Sequence, residues 1–220
     1  MSNKTISQSH QEFLISVQKR KRSIFIMQVG LLILGLILWE IAANLKWIDP
    51  FIVSSPSRIW RLFLEYAKNG NLHYHIFVSV SETIVGFTLG TVLGLLISIG
   101  LWWSNYWAKV VDPYLVILNS LPKNALAPII IIWVGAGYSG IIVSAITVSI
   151  VVSIMNMYRS FISTDGDKIR LLETFGASKF QILTKLVLPS SIPDLISTLK
   201  ISIGLSWIGV ITGEFLVSKA

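Results

Sequence analysis

Charged side chains are rare within the apolar runs of this sequence, so the few that occur, together with some of the hydroxyl side chains, could contact a polar solute inside a membrane. Lys200 and Glu214 lie in the last apolar run, where a cation can attract an anionic solute and a carboxylate can bind or gate. Ser144 and Thr147, in the preceding run, can line a polar path or donate to their own helix backbone. These four residues form the candidate translocation path.

Each charged residue of this path also has a purely structural interpretation. Lys200 can extend its ammonium to the headgroups or pair with a neighbouring helix, and we favour this interpretation over solute binding. Glu214 is more typical of a packing or gating residue than of a direct solute ligand.

Catalytic and metal chemistry have little support in the sequence. The 220-residue chain has no cysteine, which excludes disulfides, thiol catalysis and cysteine-ligated metals. His73 and His75 have no further ligand nearby, so an ordinary polar loop is the better interpretation. No Gly-x-x-x-x-Gly-Lys-Ser/Thr segment is present to cradle ATP phosphates. We therefore predict that the protein is not an enzyme and binds no metal or cofactor itself.

The composition is typical of a membrane protein: 53% of the residues are hydrophobic, 13% are charged, and the mean hydropathy is +0.71. About 20 apolar residues suffice to cross a bilayer as a helix. We predict an all-α polytopic membrane helix bundle, with a basic cytoplasmic tail over residues 1–23 and a single transmembrane domain over residues 24–220. About five spans are expected, over residues 24–43, 76–103, 108–122, 127–157 and 190–216.

Basic residues indicate the orientation in the membrane. The cluster Lys19-Arg20-Lys21-Arg22 directly precedes the first span, and further basic residues fall in the loop over residues 159–189. Cytoplasmic loops carry the excess of lysine and arginine, so both segments are predicted to be cytoplasmic. The first span has only a weak cleavage site after it, which favours an uncleaved anchor over a signal peptide.

Glycines recur at four-residue spacing in two spans. Gly86, Gly90 and Gly94 fall on one helix face, and Gly209 and Gly213 repeat the pattern. Such a stripe allows another helix to approach closely, although glycines are also simply common in membrane helices. The segment 135–140, with three glycines, predicts a distorted or broken helix near the outer end of the fourth span.

A short outer helix is predicted between the first two spans. Ser57 can cap a helix that begins at Arg58, and Asn69-Gly70 is a stop signal. The helix would be amphipathic and lie at the membrane interface.

The cytoplasmic loop contains two short helices and a glycine between them. Thr164 or Asp165 can cap the first helix, Gly176 can adopt the positive φ that ends it, and Ser178 with Gln181 matches a capping box. Such an elbow can pack on the protein's own spans or be offered to a groove on a partner, and periodicity alone does not separate the two.

The elbow resembles the cytoplasmic loop of the permease subunits of binding-protein-dependent ABC importers. That loop has a glycine, nine residues and an isoleucine-x-leucine-proline ending, and here Gly176 is followed by nine residues and Leu186-Val187-Leu188-Pro189. The family's glutamate-alanine-alanine start is replaced by Arg170-Leu171-Leu172. The segments 55–60, 121–137 and 213–220 are similar to the nitrate, sulfonate and taurine type of permease. Glu82 is a departure, because similar proteins often carry arginine there.

The resemblance implies the MetI-like fold of these permeases, with the elbow as a pair of coupling helices on a cytoplasmic ATPase. The residues that it places at this contact are Thr174, Phe175, Gly176, Ala177, Ser178, Phe180, Leu188 and Pro189. Such permeases typically have six spans, and a sixth would follow residue 220. The resemblance therefore implies a chain that lacks its C-terminal span, and a truncated non-transporting fragment stays an alternative.

The same resemblance implies the partners and the solute. ATP would be used by the partner ATPase, a second permease subunit would complete a homodimer, and an external binding protein would deliver the solute to the cell membrane. The expected solute is a small anion such as nitrate, an alkanesulfonate or taurine, and a thiamine-precursor pyrimidine is the alternative. A secondary carrier is less well supported, because the sequence shows no inverted repeat and no paired intramembrane carboxylates.

Overall fold

The computed structural model describes residues 8–217, and every regular element in that range is a helix. The elements are α1 (Gln8–Asn44), α2 (Pro50–Val53), α3 (Pro56–Lys68), α4 (Asn71–Trp103), α5 (Asn105–Ser120), α6 (Lys123–Val134), α7 (Tyr138–Ile162), α8 (Gly166–Thr174), α9 (Lys179–Ile182), a π-helical segment (Leu183–Val187) and α10 (Leu188–Val217). The predicted all-α membrane bundle is confirmed. The described residues divide into two compact units between His73 and Tyr74.

Among the described residues, four helices are long and apolar enough to cross a membrane: Phe13–Asn44, Asn71–Trp103, Tyr138–Ile162 and Lys179–Val217. Helices α5 and α6 are bent by 97° at the break between them, and together they would count as a fifth span. α1 begins at Gln8, so its helix already includes part of the segment expected to be a tail. Residues 1–7 and 218–220 lie outside the described range, including the end of the 213–220 motif.

The N-terminal unit joins α1 to the short helix α3 through a carboxylate. Glu40 accepts hydrogen bonds from the Ser57 backbone N–H at 3.0 Å and from the Ser57 hydroxyl at 2.7 Å. The prediction that Ser57 caps α3 is therefore wrong, because its hydroxyl is used on α1. The N-cap is Ser55, whose side chain accepts from the Arg58 N–H, and Pro56 occupies the first helical position. The stop at Asn69 is confirmed.

The second unit is built around α7, which lies between α4 and α10. The glycine stripe of α4 meets small residues of α7: a Cβ added at Gly86 would lie 2.7 Å from Ala145 Cβ, and one at Gly90 would lie 2.7 Å from Ser149 Oγ. A Cβ added at Gly94 would lie 2.8 Å from Ser153 Cβ. The residue numbers of these contacts increase in the same direction along both helices, so α4 and α7 run parallel. The stripe is a close-packing surface, as its spacing predicts.

On its other side α7 packs against α10 in the antiparallel direction. Gly209 lies against the Ala145 backbone, and a Cβ there would be 2.6 Å from Ala145 Cα. About two helical turns from this contact, the hydroxyls of Ser153 and Ser202 are 2.7 Å apart. At these points the central helix contacts each neighbour through glycine, alanine and serine, whereas nearer its beginning the Ile141 side chain lies against Gly213 of α10.

The span expected over residues 127–157 is divided in the structure. α6 ends at Val134 and α7 begins at Tyr138, with Gly135 and Gly137 between them at φ +104° and +141°. Two residues with positive φ end a right-handed helix, so the predicted distortion is a complete break. The residues before the break belong to the bent α5–α6 pair instead.

α9, the π-helical segment and α10 form one nearly continuous helix over Lys179–Val217. Pro193 lies inside α10. Pro189 has no N–H to donate to the preceding turn, and the wider π turn directly before it accommodates that missing bond. The elbow is thus joined rigidly to the last span.

Candidate functional site

The first half of the elbow is held by a cap at each end of α8. Asp165 is the N-cap residue, and its carboxylate accepts from the Asp167 N–H at 2.9 Å. At the other end Gly176 has φ +76°, and its N–H donates to the Glu173 carbonyl. The Ala177 N–H closes the turn on the Leu172 carbonyl at 3.0 Å. These two hydrogen bonds and the positive φ of Gly176 end α8 at this turn.

The second half restarts immediately with a capping box. Ser178 Oγ accepts from the Gln181 N–H, and Gln181 Oε1 accepts from the Ser178 N–H at 2.8 Å. Both predicted caps of the elbow are confirmed, with Asp165 rather than Thr164 as the first. The turn between α8 and α9 is fixed by local hydrogen bonds on both sides.

The elbow has one face on the bundle and one face exposed. Its inner face belongs to a buried apolar cluster formed by Met157, Phe161, Ile182, Leu183 and Val187. On the outer face the side chains of Phe175 and Phe180 are 79% and 63% exposed. Packing of the elbow on the spans therefore leaves two aromatic side chains uncovered.

The other residues assigned to this contact by the resemblance lie close to the turn. Thr174, Gly176, Ser178 and Pro189 are exposed, whereas Ala177 and Leu188 are half-buried. The Thr174 hydroxyl donates to the Leu171 carbonyl at 2.6 Å.

The structure does not gather the four residues of the candidate translocation path into one cavity. The hydroxyl of buried Ser144 donates to the Gly140 carbonyl at 2.9 Å, and that of Thr147 donates to the Val143 carbonyl at 2.8 Å. Both hydroxyls are thus satisfied by α7 itself. Lys200 is exposed on α10, and Glu214, nearer the end of α10, accepts a hydrogen bond from the Ser79 hydroxyl of α4.

A pair of carboxyl groups, which the sequence analysis did not find, lies between α4 and α10. Glu82 is only 2% exposed and interacts with Glu214, while its Oε2 atom has no hydrogen-bond partner among the described residues. The statement that paired intramembrane carboxylates are absent is therefore wrong. The residues are far apart in sequence, and only the packing of both helices on α7 brings them together.

A polar groove, also missed by the sequence analysis, lies between α7 and α10 near the elbow. Its cavity volume is about 360 Å³. The Ser160 hydroxyl donates to Asp194 Oδ2 at 2.7 Å within it, and Arg159 contributes a cation. The remaining lining residues are Asn156, Ser163, Ser197, Thr198 and Ile201. Polar residues spaced along two facing spans were the signal that could have revealed it.

Comparison with known proteins identifies the family. Residues 86–220 match the family described as binding-protein-dependent transport system inner membrane component. The chain is a permease subunit of an ABC importer. This permease is a multi-pass inner membrane protein and is not itself catalytic. Members of the family work with an ATPase and a solute-binding protein.

Several relatives match most of the permease. The formylaminopyrimidine transport permease protein ThiX of Halalkalibacterium halodurans is 29% identical, over 89% of this chain and 78% of that protein. The putative aliphatic sulfonates transport permease protein SsuC of Bacillus subtilis is 27% identical, over 87% of this chain and 70% of its own length. The taurine transport system permease protein TauC of Escherichia coli is 22% identical, over 87% of this chain and 72% of its own length.

The carboxyl pair makes a prediction for the stability of the permease. Replacing Glu82 with glutamine keeps the side-chain shape, removes one of two acidic groups in a poorly hydrated place, and supplies an N–H for Glu214. We expect the Glu82→Gln variant to unfold about 2–4 °C higher at neutral pH, the equivalent of about 1 kcal/mol. Thermal unfolding in nanodiscs measures this, with Glu173→Gln on the exposed elbow as the control. A lower unfolding temperature for Glu82→Gln would show that the buried carboxyl is stabilising.

Proposed function

We propose that the elbow, residues 159–189, is the surface through which this permease docks on its ATPase. The observation that carries the proposal is the exposure of Phe175 and Phe180 on a turn that is capped on both sides. Large aromatic side chains anchored on a rigid support are typical centres of protein interfaces. Thr174, Gly176, Ala177, Ser178, Leu188 and Pro189 complete the proposed contact. The N-terminus of the chain is also proposed to be cytoplasmic, on the basis of the basic cluster Lys19-Arg20-Lys21-Arg22.

Docking alone does not move a permease. The ATPase must bind the elbow differently in its nucleotide-bound and nucleotide-free states, because equal affinity for both would shift nothing. The joined helix over Lys179–Val217 supports this function, since a displacement of the elbow is passed directly to the last span. A second permease copy and an external binding protein would complete the transporter, and the partner ATPase would supply the energy of ATP hydrolysis.

For the solute we propose a small organic sulfonate, of the alkanesulfonate or taurine class. The names of two relatives support this class. A formylaminopyrimidine is the second candidate, favoured by the relative that matches 89% of the chain.

The docking proposal is tested by substitution at one exposed aromatic residue. Phe175→Asp places a charge at the proposed contact, and we expect the amount of ATPase that co-purifies with the permease to fall at least tenfold, about 1.4 kcal/mol. Phe175→Leu keeps an apolar side chain and is the matched control. Retention of the ATPase by Phe175→Asp at the level of Phe175→Leu would contradict docking at the elbow.

The solute proposal is tested separately in proteoliposomes. ATP hydrolysis is measured with the permease, its ATPase and its binding protein, while taurine, an alkanesulfonate, nitrate or a formylaminopyrimidine is added. Stimulation by taurine or the alkanesulfonate supports the proposal, and stimulation by the pyrimidine alone would replace it with the second candidate.

A further inference from the structure

Lys179 joins the elbow to the end of a different helix. It is the first residue of α9, directly after the capping residue Ser178, so its backbone is fixed by the capping box. Its Nζ atom donates to the Trp103 carbonyl at 2.6 Å. The same ammonium lies 5.6 Å from the ring centroids of both Trp102 and Trp103. One amine therefore has three partners on α4, a contact that the docking proposal does not use.

The chemistry of these partners suits a cation. Trp103 is the last residue of α4, where the final carbonyls have no partner within the helix and the helix dipole is negative. A tryptophan ring face is the best aromatic partner for an ammonium, and separations below about 6 Å are effective. Trp102 also packs against the buried cluster that holds the inner face of the elbow. The Lys179 ammonium thus adds a polar contact between the elbow and α4 beside the apolar cluster that already joins them.

We propose that Lys179 is a positioning residue that tethers the elbow to the end of α4, so that movement of the elbow is transmitted to α4 as well as to α10. The transmission rests on the proposed docking of the ATPase, whereas the tether itself is a property of the permease alone. α4 passes the movement onward because it is one helix over Asn71–Trp103 and its glycines fit closely against α7. At its other end, Ser79 and Glu82 contact Glu214 of α10.

Distances within the permease test the tether without any partner. Because the sequence has no cysteine, spin labels can be attached only at introduced ones, at exposed Glu173 on α8 and at Gly100 on α4, where a side chain meets nothing within 4 Å. We expect a narrow distance distribution in nanodiscs for the parent protein and for Lys179→Arg, which keeps the cation and the donors. Lys179→Met keeps only the apolar stem of the side chain. We expect this variant to at least double the width of the distance distribution.

The control for charge is Lys168→Met. Lys168 lies on the same elbow, is exposed, and pairs with Asp165 at 3.8 Å rather than with α4. Its removal is expected to leave the distribution unchanged. Equal distributions for Lys179→Met and Lys168→Met would overturn the tether.

Transmission is measured in the assembled transporter. For Lys179→Met we expect ATP hydrolysis stimulated by the loaded binding protein to fall at least fivefold, while the affinity for the ATPase changes less than twofold. Lys179→Arg should recover the stimulation. Undiminished stimulation in Lys179→Met would overturn transmission. Failure of the parent permease to bind its ATPase would instead overturn the docking proposal, with the label distances still deciding the tether.

Discussion

Replacing Gly209 with leucine is expected to cause the largest loss of stability of any single change considered. A Cβ at this position would lie 2.6 Å from Ala145 Cα and 3.1 Å from both Ala145 N and the Ser144 carbonyl oxygen. All three are backbone atoms, so no side chain can move aside and α7 must separate from α10. Overpacking costs about 1–3 kcal/mol, and 1 kcal/mol shifts the unfolding temperature of a chain of this size by about 2–4 °C. We therefore expect a fall of about 10 °C.

The same helix offers a matched control in Gly204, where an added Cβ meets nothing within 4 Å. Gly204→Leu carries the same change in helix propensity and hydrophobicity without the collision. Thermal unfolding of both variants in the same nanodiscs isolates the packing effect. Equal unfolding temperatures would show that α7 and α10 are not held in close contact.

Replacing Gly176 with proline is expected to abolish ATPase binding while leaving the spans folded. Proline removes the N–H that donates to the Glu173 carbonyl, and it fixes φ near −65° where the turn requires +76°. The end of α8 must then open, which displaces Phe175 from its position on the elbow. We expect co-purification of the ATPase to fall by more than tenfold, with little change in the unfolding temperature of the permease.

Gly176→Asn is the control for this change, because asparagine keeps the N–H and tolerates the left-handed conformation better than other side chains. It should retain most of the ATPase. Equal binding by the proline and asparagine variants would indicate that the geometry of the turn is not required for docking.

The elbow was predictable because its determinants are local. A glycine that ends a helix and a serine followed three residues later by glutamine act within one turn, so the sequence contains all the information needed for Gly176 and Ser178. The stripe of Gly86, Gly90 and Gly94 could equally be predicted to be a packing surface. The helix that packs on this stripe could not be predicted, because nothing in the sequence of α4 specifies that it will lie against α7.

The features that sequence analysis missed depend on contacts between distant segments. Ser57 matches a capping residue locally, but its hydroxyl is used by Glu40, 17 residues earlier. Glu82 and Glu214 become neighbours only after α4 and α10 pack on the same central helix. Ser144 and Thr147 suggested a polar path by composition, yet each satisfies its own helix, as hydroxyls in apolar surroundings commonly do.

The interface between α4 and α7 repeats itself every four residues. If α4 slid along α7 by one helical turn, about 6 Å at 1.5 Å per residue, Gly86 would face Ser149 and Gly90 would face Ser153. Two of the three small-residue pairs would re-form, but Glu82, four residues before Gly86, would then lie against Ala145, where even an added Cβ is only 2.7 Å from the Ala145 Cβ. Glu82 therefore acts as a stop at the end of the glycine stripe, and displacing α4 by one turn in this direction would force α4 and α7 apart and would break the hydrogen bond from Ser98 to the Ile154 carbonyl.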